Sequence, residues 1–245
     1  MGSILSRIAA ASLAVIFLCS AAWPRRSLDE QSVRDMLDST VQIEVMVAAE
    51  VKVGDRELEI TESWSGSGVV YAKTSGLTEP VQSKILSANH VLEAPAVGDL
   101  IPTPVGNAKV TAVLMTVRTH QGLTCELEPL VLGVSDTRDV ATGLAHCDAG
   151  RVAPIADRMP PEGATVYVSG HPLGVPVAVV TEGFVSGWMS GYLLIGAAAA
   201  PGNSGGPVFY NGAVVGLLVR GAPRYPHISL VTPLQSVIDR IDQTP

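Results

Sequence analysis

The chain has 245 residues, 47% of them hydrophobic and 16% charged, which is enough to bury a substantial core and too apolar for disorder. The formal net charge is −7, and no basic cluster is longer than Arg25-Arg26. Nucleic acid is therefore excluded as the main partner, because phosphate binding needs clustered Lys and Arg. The length suits one large all-β domain or two small ones.

The N-terminal stretch reads as an address. Arg7 precedes an uncharged run from Ile8 to Trp23, followed by Pro24 and the Arg pair. Such a run suits a signal-peptide core better than a membrane span, and Ser20-Ala21-Ala22 offers small residues for cleavage. Arg25 and Arg26 resist export, so an uncleaved anchor is the alternative. Residues 1–26 are accordingly a signal peptide or N-terminal membrane anchor, and the expected location is periplasmic, extracellular or membrane-tethered. Cys19 is not a lipidation site, since the bulky Leu18 precedes it.

Ser27-x-x-Glu30 is a capping box, and Val33, Met36 and Leu37 lie on one helical face. Thr40 to Val47 then alternates Val41, Ile43, Val45 and Val47 against polar residues and Met46, the period of a half-buried strand. Further strands are expected at Ser65–Tyr71, Ile85–Leu92, Lys109–Val117, Cys125–Val134 and Val140–Ala145, with loops at 72–83 and 93–108. Six strands with intervening loops suit a small closed barrel over residues 27–149, helix included. Cys125 and Cys147 flank two neighbouring strands, so they form either a disulfide or two buried thiols.

The stretch Asp148–Gly163, rich in Gly and Pro, reads as a connection. Residues 150–245 then repeat the pattern with strands at Ala164–Ser169, Val177–Trp188, Tyr192–Ala197, Pro207–Tyr210, Ala213–Val219 and His227–Val231. The chain closes on an expected helix, with Thr232 as N-cap, Pro233 at its first position, and Leu234, Val237, Ile238 and Ile241 at helical spacing. The fold class is all-β, two six-stranded antiparallel barrels with a short helix at each end.

Gly202-Asn203-Ser204-Gly205-Gly206-Pro207 places one hydroxyl among glycines before an apolar strand. Such a turn lets the backbone approach a substrate and aim N–H groups at a developing oxyanion. A hydroxyl needs a base, and His90 is the candidate; the base needs a carboxylate to orient it, for which Asp139 competes with Asp136. Asp136 also reads as a turn residue capping local N–H groups; the choice of Asp139 rests on the resemblance given next, in which the Asp opens its strand as Asp139-Val140-Ala141 does. No C-x-x-C pair or zinc-spaced His/Cys cluster occurs, so neither cofactor nor metal is expected.

These motifs carry a resemblance. Asn203-Ser204-Gly205-Gly206-Pro207-Val208, Ser87-Ala88-Asn89-His90-Val91, Asp139-Val140-Ala141 and Gly170-His171-Pro172-Leu173-Gly174 resemble the trypsin-like serine proteases, nearest to the HtrA/Deg branch. Ser65-Gly66-Ser67-Gly68 is similar to that branch's strand before the catalytic His. The resemblance spans roughly residues 40–243, keeps the His-Asp-Ser order of chymotrypsin-like enzymes, and departs at Thr142-Gly143, where Leu or Val is usual. It implies a serine endopeptidase with His90, Asp139 and Ser204 as catalytic residues and the backbone of Gly202, Asn203 and Ser204 as oxyanion hole. It also implies a substrate pocket at Ala198, Ala199, Val219, Arg220 and Gly221. These are small or apolar apart from Arg220, so cleavage is expected after Val, Ala or Leu. Arg220 pointing inward would favour acidic residues; facing solvent it would not matter. His171 occupies a position where the family has Asn, and Asn203 rules out the charged contact that activates trypsin-type zymogens. The expected partner is a protein or peptide substrate. A catalytically silent binding module is the alternative. The chain ends just after the terminal helix, so a stand-alone protease without a PDZ domain is expected; its oligomeric state is open.

Overall fold

The alternation of valines and isoleucine with polar residues in Thr40–Val53 makes β1, in a computed structural model that describes residues 28–74, 80–131, 133, 138–222 and 225–241. Val41, Ile43, Val45 and Val47 are buried, while Glu44 and Met46 face out. The strand runs past the expected end at Val47, because Ala48–Val53 pair with the next strand and Ala48–Val51 also pair with residues 108–112 further along. Gly54, in the left-handed region at φ 64°, turns the chain into β2, Arg56–Thr74. Before β1 lies α1, Glu30–Ser39, whose last turn is closed by the Ser39 and Thr40 hydroxyls donating to the Met36 carbonyl at 3.0 and 2.7 Å. Ser27 of the expected capping box, and the uncharged run 8–23, lie outside the described residues. Among the described residues no helix is long and apolar enough to cross a membrane.

The remaining strands of the first sheet are β3 (Gln82–Ser87), β4 (Leu100–Thr103), β5 (Gly106–Arg118), β6 (Thr124–Val131) and β7 (Ala141–Ala145). Their order is β1-β2-β3-β7-β6-β5-β4, and β1 also pairs with β5, so six strands return on themselves and β4 hangs on β5 as a hairpin arm. That arm falls in a stretch expected to be loop. Its Pro102 is tolerated because β4 is an edge strand, and its turn is closed by the Thr103 hydroxyl donating to the Gly106 carbonyl at 2.6 Å. A second correction concerns Ile85–Leu92. The strand stops at Ser87, and Asn89–Leu92 forms one helical turn, α2.

After a connection without strands, the second sheet contains β8 (Thr165–Gly170), β9 (Val179–Met189), β10 (Tyr192–Ile195), β11 (Pro207–Tyr210), β12 (Ala213–Ala222) and β13 (Tyr225–Pro233). They close a barrel in the order β10-β13-β12-β11-β8-β9 around Val166, Val168, Leu193, Val208, Leu218 and Val231. The C-terminal expectation needs correction. Thr232 and Pro233 still pair with Leu217 and Gly216, so neither starts a helix. A tight turn, Leu234–Ser236, and a short α3, Ile238–Ile241, follow instead. Leu234, Val237 and Ile241 are buried, as their spacing requires.

Cys125 on β6 and Cys147 just after β7 form a disulfide, with Cα atoms 6.2 Å apart. It links two paired strands across a sequence separation of 22. Closing a loop of that size restricts the unfolded chain by about 3 kcal/mol. Replacing both cysteines by serine should lower the unfolding free energy by about that amount in a urea titration; an unchanged midpoint would show that the bridge adds nothing.

Candidate active site

His90 is presented by α2. Val91 and Leu92 of that turn are buried at 1% and 0% exposure, which fixes the backbone and leaves the imidazole at the surface. Asn89 adds two ties, donating to Glu93 at 3.0 Å and accepting the Gly133 N–H at 2.6 Å. Val140, fully buried, anchors the backbone next to Asp139. Across the Thr142-Gly143 departure β7 pairs with β3 without a shift from Ala141 to Ala145, whereas on its other side the register against β6 slips between Pro129 and Val131, opposite these two residues. Thr142 is buried, and a Cβ at Gly143 would meet Leu127 at 2.8 Å.

The imidazole and the carboxylate meet. His90 Nδ1 lies 2.6 Å from Asp139 Oδ2, and the His90 backbone N–H donates to Asp139 Oδ1 at 3.0 Å. A carboxylate at Nδ1 selects the tautomer with the proton there, leaving the Nε2 lone pair free as a base. Burial alone raises the Asp139 pKa, but the hydrogen bonds from the His90 ring and backbone, with the charge of His90, outweigh it and hold the carboxyl below its ordinary 3.8. Asp136, the competitor, lies outside the described residues.

The nucleophile loop comes from the other barrel. Gly202 has φ 92°, and a Cβ there would run into the His171 carbonyl at 2.3 Å, so only glycine fits. The carbonyl of Pro201 accepts the Leu173 N–H at 2.6 Å. Because a trans peptide plane points its C=O and N–H in opposite directions, this bond turns the Gly202 N–H away from the 171–174 turn. Leu173 itself sits at φ 56°, an unusual conformation for a residue with a Cβ. Among the described residues the N–H groups of Gly202 and Ser204 have no protein acceptor. That of Asn203 is bonded to the Ala200 carbonyl at 3.0 Å, which removes it from the expected set of oxyanion donors.

Ser67 fastens this loop to β2. Its N–H donates to the Ser204 carbonyl at 2.8 Å, and its hydroxyl donates to the Gly202 carbonyl at 2.7 Å while accepting the His171 N–H at 2.9 Å. Next to it, a Cβ at Gly66 would meet Val91 at 2.5 Å and the Ser204 carbonyl at 3.1 Å. The α-carbon of Gly66 thus lies between the helical turn of His90 and the backbone of Ser204, so the segments carrying these two candidates pack on one glycine. The Ser204 hydroxyl lies 3.5 Å from the Val219 carbonyl. The sequence reading missed the roles of Ser67, Asn89 and Leu173. The Ser-Gly-Ser-Gly repeat was the signal for the first; backbone bonding by Leu173 left none.

Of the expected pocket residues, Ala198 and Gly221 are exposed and Ala199 packs partly on the second core. Val219 buries its side chain in the first core and offers only its carbonyl. Arg220 is exposed, with its guanidinium 5.8 Å from the centre of the Tyr192 ring.

His171 is fully buried, its Nδ1 3.0 Å from the Val175 carbonyl and its Nε2 without a partner among the described residues. Burial lowers its pKa below the ordinary 6.5, the hydrogen bond to the Val175 carbonyl opposes this without cancelling it, and the charge of Arg118 adds to the lowering. With the folded value below the unfolded one, the unfolded chain binds the proton more readily, so stability is lost as pH falls below about 6.5. Urea unfolding at successive pH values should show this decline in the wild type and a smaller one in His171→Asn. Equal slopes in both proteins would remove His171 as the cause.

A family model of the trypsin-like peptidase domain matches residues 66–217. Among solved structures, the serine endoprotease from Yersinia pestis superposes with a TM-score of 0.62 at 19% identity, covering 89% of this chain and 66% of that one. The chain therefore spans slightly less than two thirds of that protein's length. The Rv3671c protease from M. tuberculosis, in its active form, superposes at 0.60 with 18% identity, covering 87% and 83%. At these identities the likeness is one of fold. No curated protein matches the chain.

Proposed function

Because the chain belongs to the trypsin-like peptidase family, we propose that it is a serine endopeptidase that works through an acyl-enzyme. The observation that carries this reading is the 2.6 Å contact of Asp139 with His90 beside a loop with two free N–H donors around Ser204. In the proposed reaction Ser204 Oγ attacks the carbonyl carbon of the scissile peptide and its proton passes to His90 Nε2. The carbonyl oxygen takes the negative charge and receives hydrogen bonds from the N–H groups of Gly202 and Ser204. His90 then protonates the leaving amine as the C–N bond breaks, leaving an ester on Ser204. A water, deprotonated by the same imidazole, hydrolyses the ester and restores the hydroxyl. Asp139 stays ionised throughout and stabilises the imidazolium.

The reading is supported by the low pKa of Asp139, which keeps it charged at neutral pH. Its competitor is a silent binding module, which the position of the Ser204 hydroxyl near Val219 rather than His90 would suit. Hydrogen bonds in resting enzymes often tighten only when substrate is bound, so this position is compatible with catalysis. A fluorophosphonate should label the wild type, fail to label Ser204→Ala, and label Asp139→Asn far more slowly, with turnover down about 10⁴-fold. Absence of labelling in the wild type would favour the silent module.

Specificity follows from the small residues Ala198, Ala199 and Gly221 beside the nucleophile loop. We infer cleavage after Val, Ala or Leu, to be read by mass spectrometry of a digested peptide library. Cuts mainly after Lys or Glu would contradict it. The location belongs to the same proposal: the uncharged N-terminal run and the Cys125–Cys147 disulfide both suit an exported protein, cleaved from its leader or tethered by it.

A further inference from the structure

Beside the nucleophile, β12 has an unpaired edge. β11 pairs with it only as far as Leu217, and the Leu218 N–H closes on the Gly206 carbonyl. Beyond that point β12 keeps β13 on one side, through Arg220, Gly221 and Ala222, and among the described residues no strand covers the other. A Cβ at Gly221 would meet nothing within 4 Å, so the face of the strand is also open at this point. With the Val219 carbonyl 3.5 Å from the Ser204 hydroxyl, an extended peptide added along this edge would have its scissile carbonyl beside Ser204.

Two cations border that path, one from each barrel. Arg220 extends from the edge itself to the ring of Tyr192, 5.8 Å from its centre. Arg138, the residue before Asp139, lies 5.2 Å from the centre of the same ring and donates to the Gly191 carbonyl at 2.8 Å. Gly191, at φ 78°, seats that guanidinium, since a Cβ there would collide with it. The aromatic face attracts both guanidiniums and restricts their side chains. Among the described residues neither is in an ion pair with a carboxylate. Two positive charges held at one ring repel each other, and an anion placed against them relieves that repulsion. The chain as a whole carries a formal net charge of −7, so this unneutralised pair runs against its overall balance.

We propose that Arg220 and Arg138 form a subsite for an acidic side chain of the substrate, upstream of the scissile bond and beyond the residue in the aliphatic pocket. This rests on the proteolytic reading and extends it. The substrate class is then an extended segment with Asp or Glu shortly before a Val, Ala or Leu. The subsite is separate from the pocket, so Arg220 selects an upstream acid without requiring one at the cleavage point.

The test uses three peptides identical except for Glu, Gln or Lys at the upstream positions, with kcat/KM measured for each on the full chain. The wild type should prefer Glu over Gln about fivefold at low salt, the scale of a solvent-exposed ion pair, with Lys poorest. The preference should shrink as salt rises from about 0.05 to about 0.5 M. The ratio of Glu to Gln within each protein is the readout, so a general loss of rate in a variant cancels. Arg220→Gln and Arg138→Gln should each bring the ratio towards one, and Arg220→Glu should move the preference to Lys. Equal rates for Glu and Gln in the wild type, or a ratio unchanged in both Gln variants, would overturn the subsite while leaving proteolysis intact. Absence of any cleavage together with absence of fluorophosphonate labelling would overturn both.

Discussion

Ser67 lies on β2 of the first barrel with its N–H on the Ser204 carbonyl and its hydroxyl on the Gly202 carbonyl, so the nucleophile loop of the second barrel is bonded to a strand of the first. The residue is fully buried, and its own carbonyl accepts the Ser87 hydroxyl at 2.8 Å. Water cannot compete for these bonds, and each lost partner would leave a buried polar group at a cost of about 1–3 kcal/mol. The bonds therefore act as constraints on position as well as sources of stability. His90 is carried two residues beyond Ala88, whose backbone lies against Gly205: a Cβ on that glycine would meet the Ala88 nitrogen at 2.8 Å. The segments carrying His90 and Ser204 are thus set by backbone packing on a common strand pair.

The donors for an oxyanion depend on a second contact at the same place. Gly202 presents its N–H because its neighbour's carbonyl is held by Leu173, and Leu173 can reach it because the turn from His171 to Gly174 adopts a left-handed residue. That turn is held in turn by the His171 N–H on Ser67, by the His171 ring on the Val175 carbonyl, and by Gln42 of β1 donating to the Gly174 carbonyl at 3.0 Å. A buried, neutral imidazole is consistent with this scaffolding role, since a charged ring with an unpartnered Nε2 would be costly there.

Charge is distributed unevenly around that cleft. Asp139 is kept ionised by His90, and Arg138, its neighbour in sequence, crosses to the turn before β10 in the other barrel. Adjacent residues thus serve different tasks, one orienting the base and the other joining the barrels at their rim. Tyr192 receives Arg138 on the way and packs its body against the first core, so a single aromatic ring contributes to the interface and to the electrostatics of the cleft.

Elements with a strict period were legible. The alternating run from Val41 to Val47 is a strand with that face buried, and the spacing of Leu234, Val237 and Ile241 marks buried positions even though the helix starts later than Pro233 suggested. The Gly-rich loop around Ser204 could be read because close backbone approach demands glycine, whereas the turn bearing His90 was expected to be strand and His90 stood out through the resemblance. The sequence by itself determined an all-β chain, the residue types able to do acyl transfer, and the lack of any Lys/Arg run longer than Arg25-Arg26. Only the tertiary structure decided that Asp139 reaches His90, that Cys125 meets Cys147, that Asn203 loses its N–H to Ala200, and that Arg138 and Arg220 share one ring. The reason is physical: periodicity reports which face of an element is buried, whereas these contacts join residues tens of positions apart or lie in turns, where strand pairing and barrel closure alone set the distance.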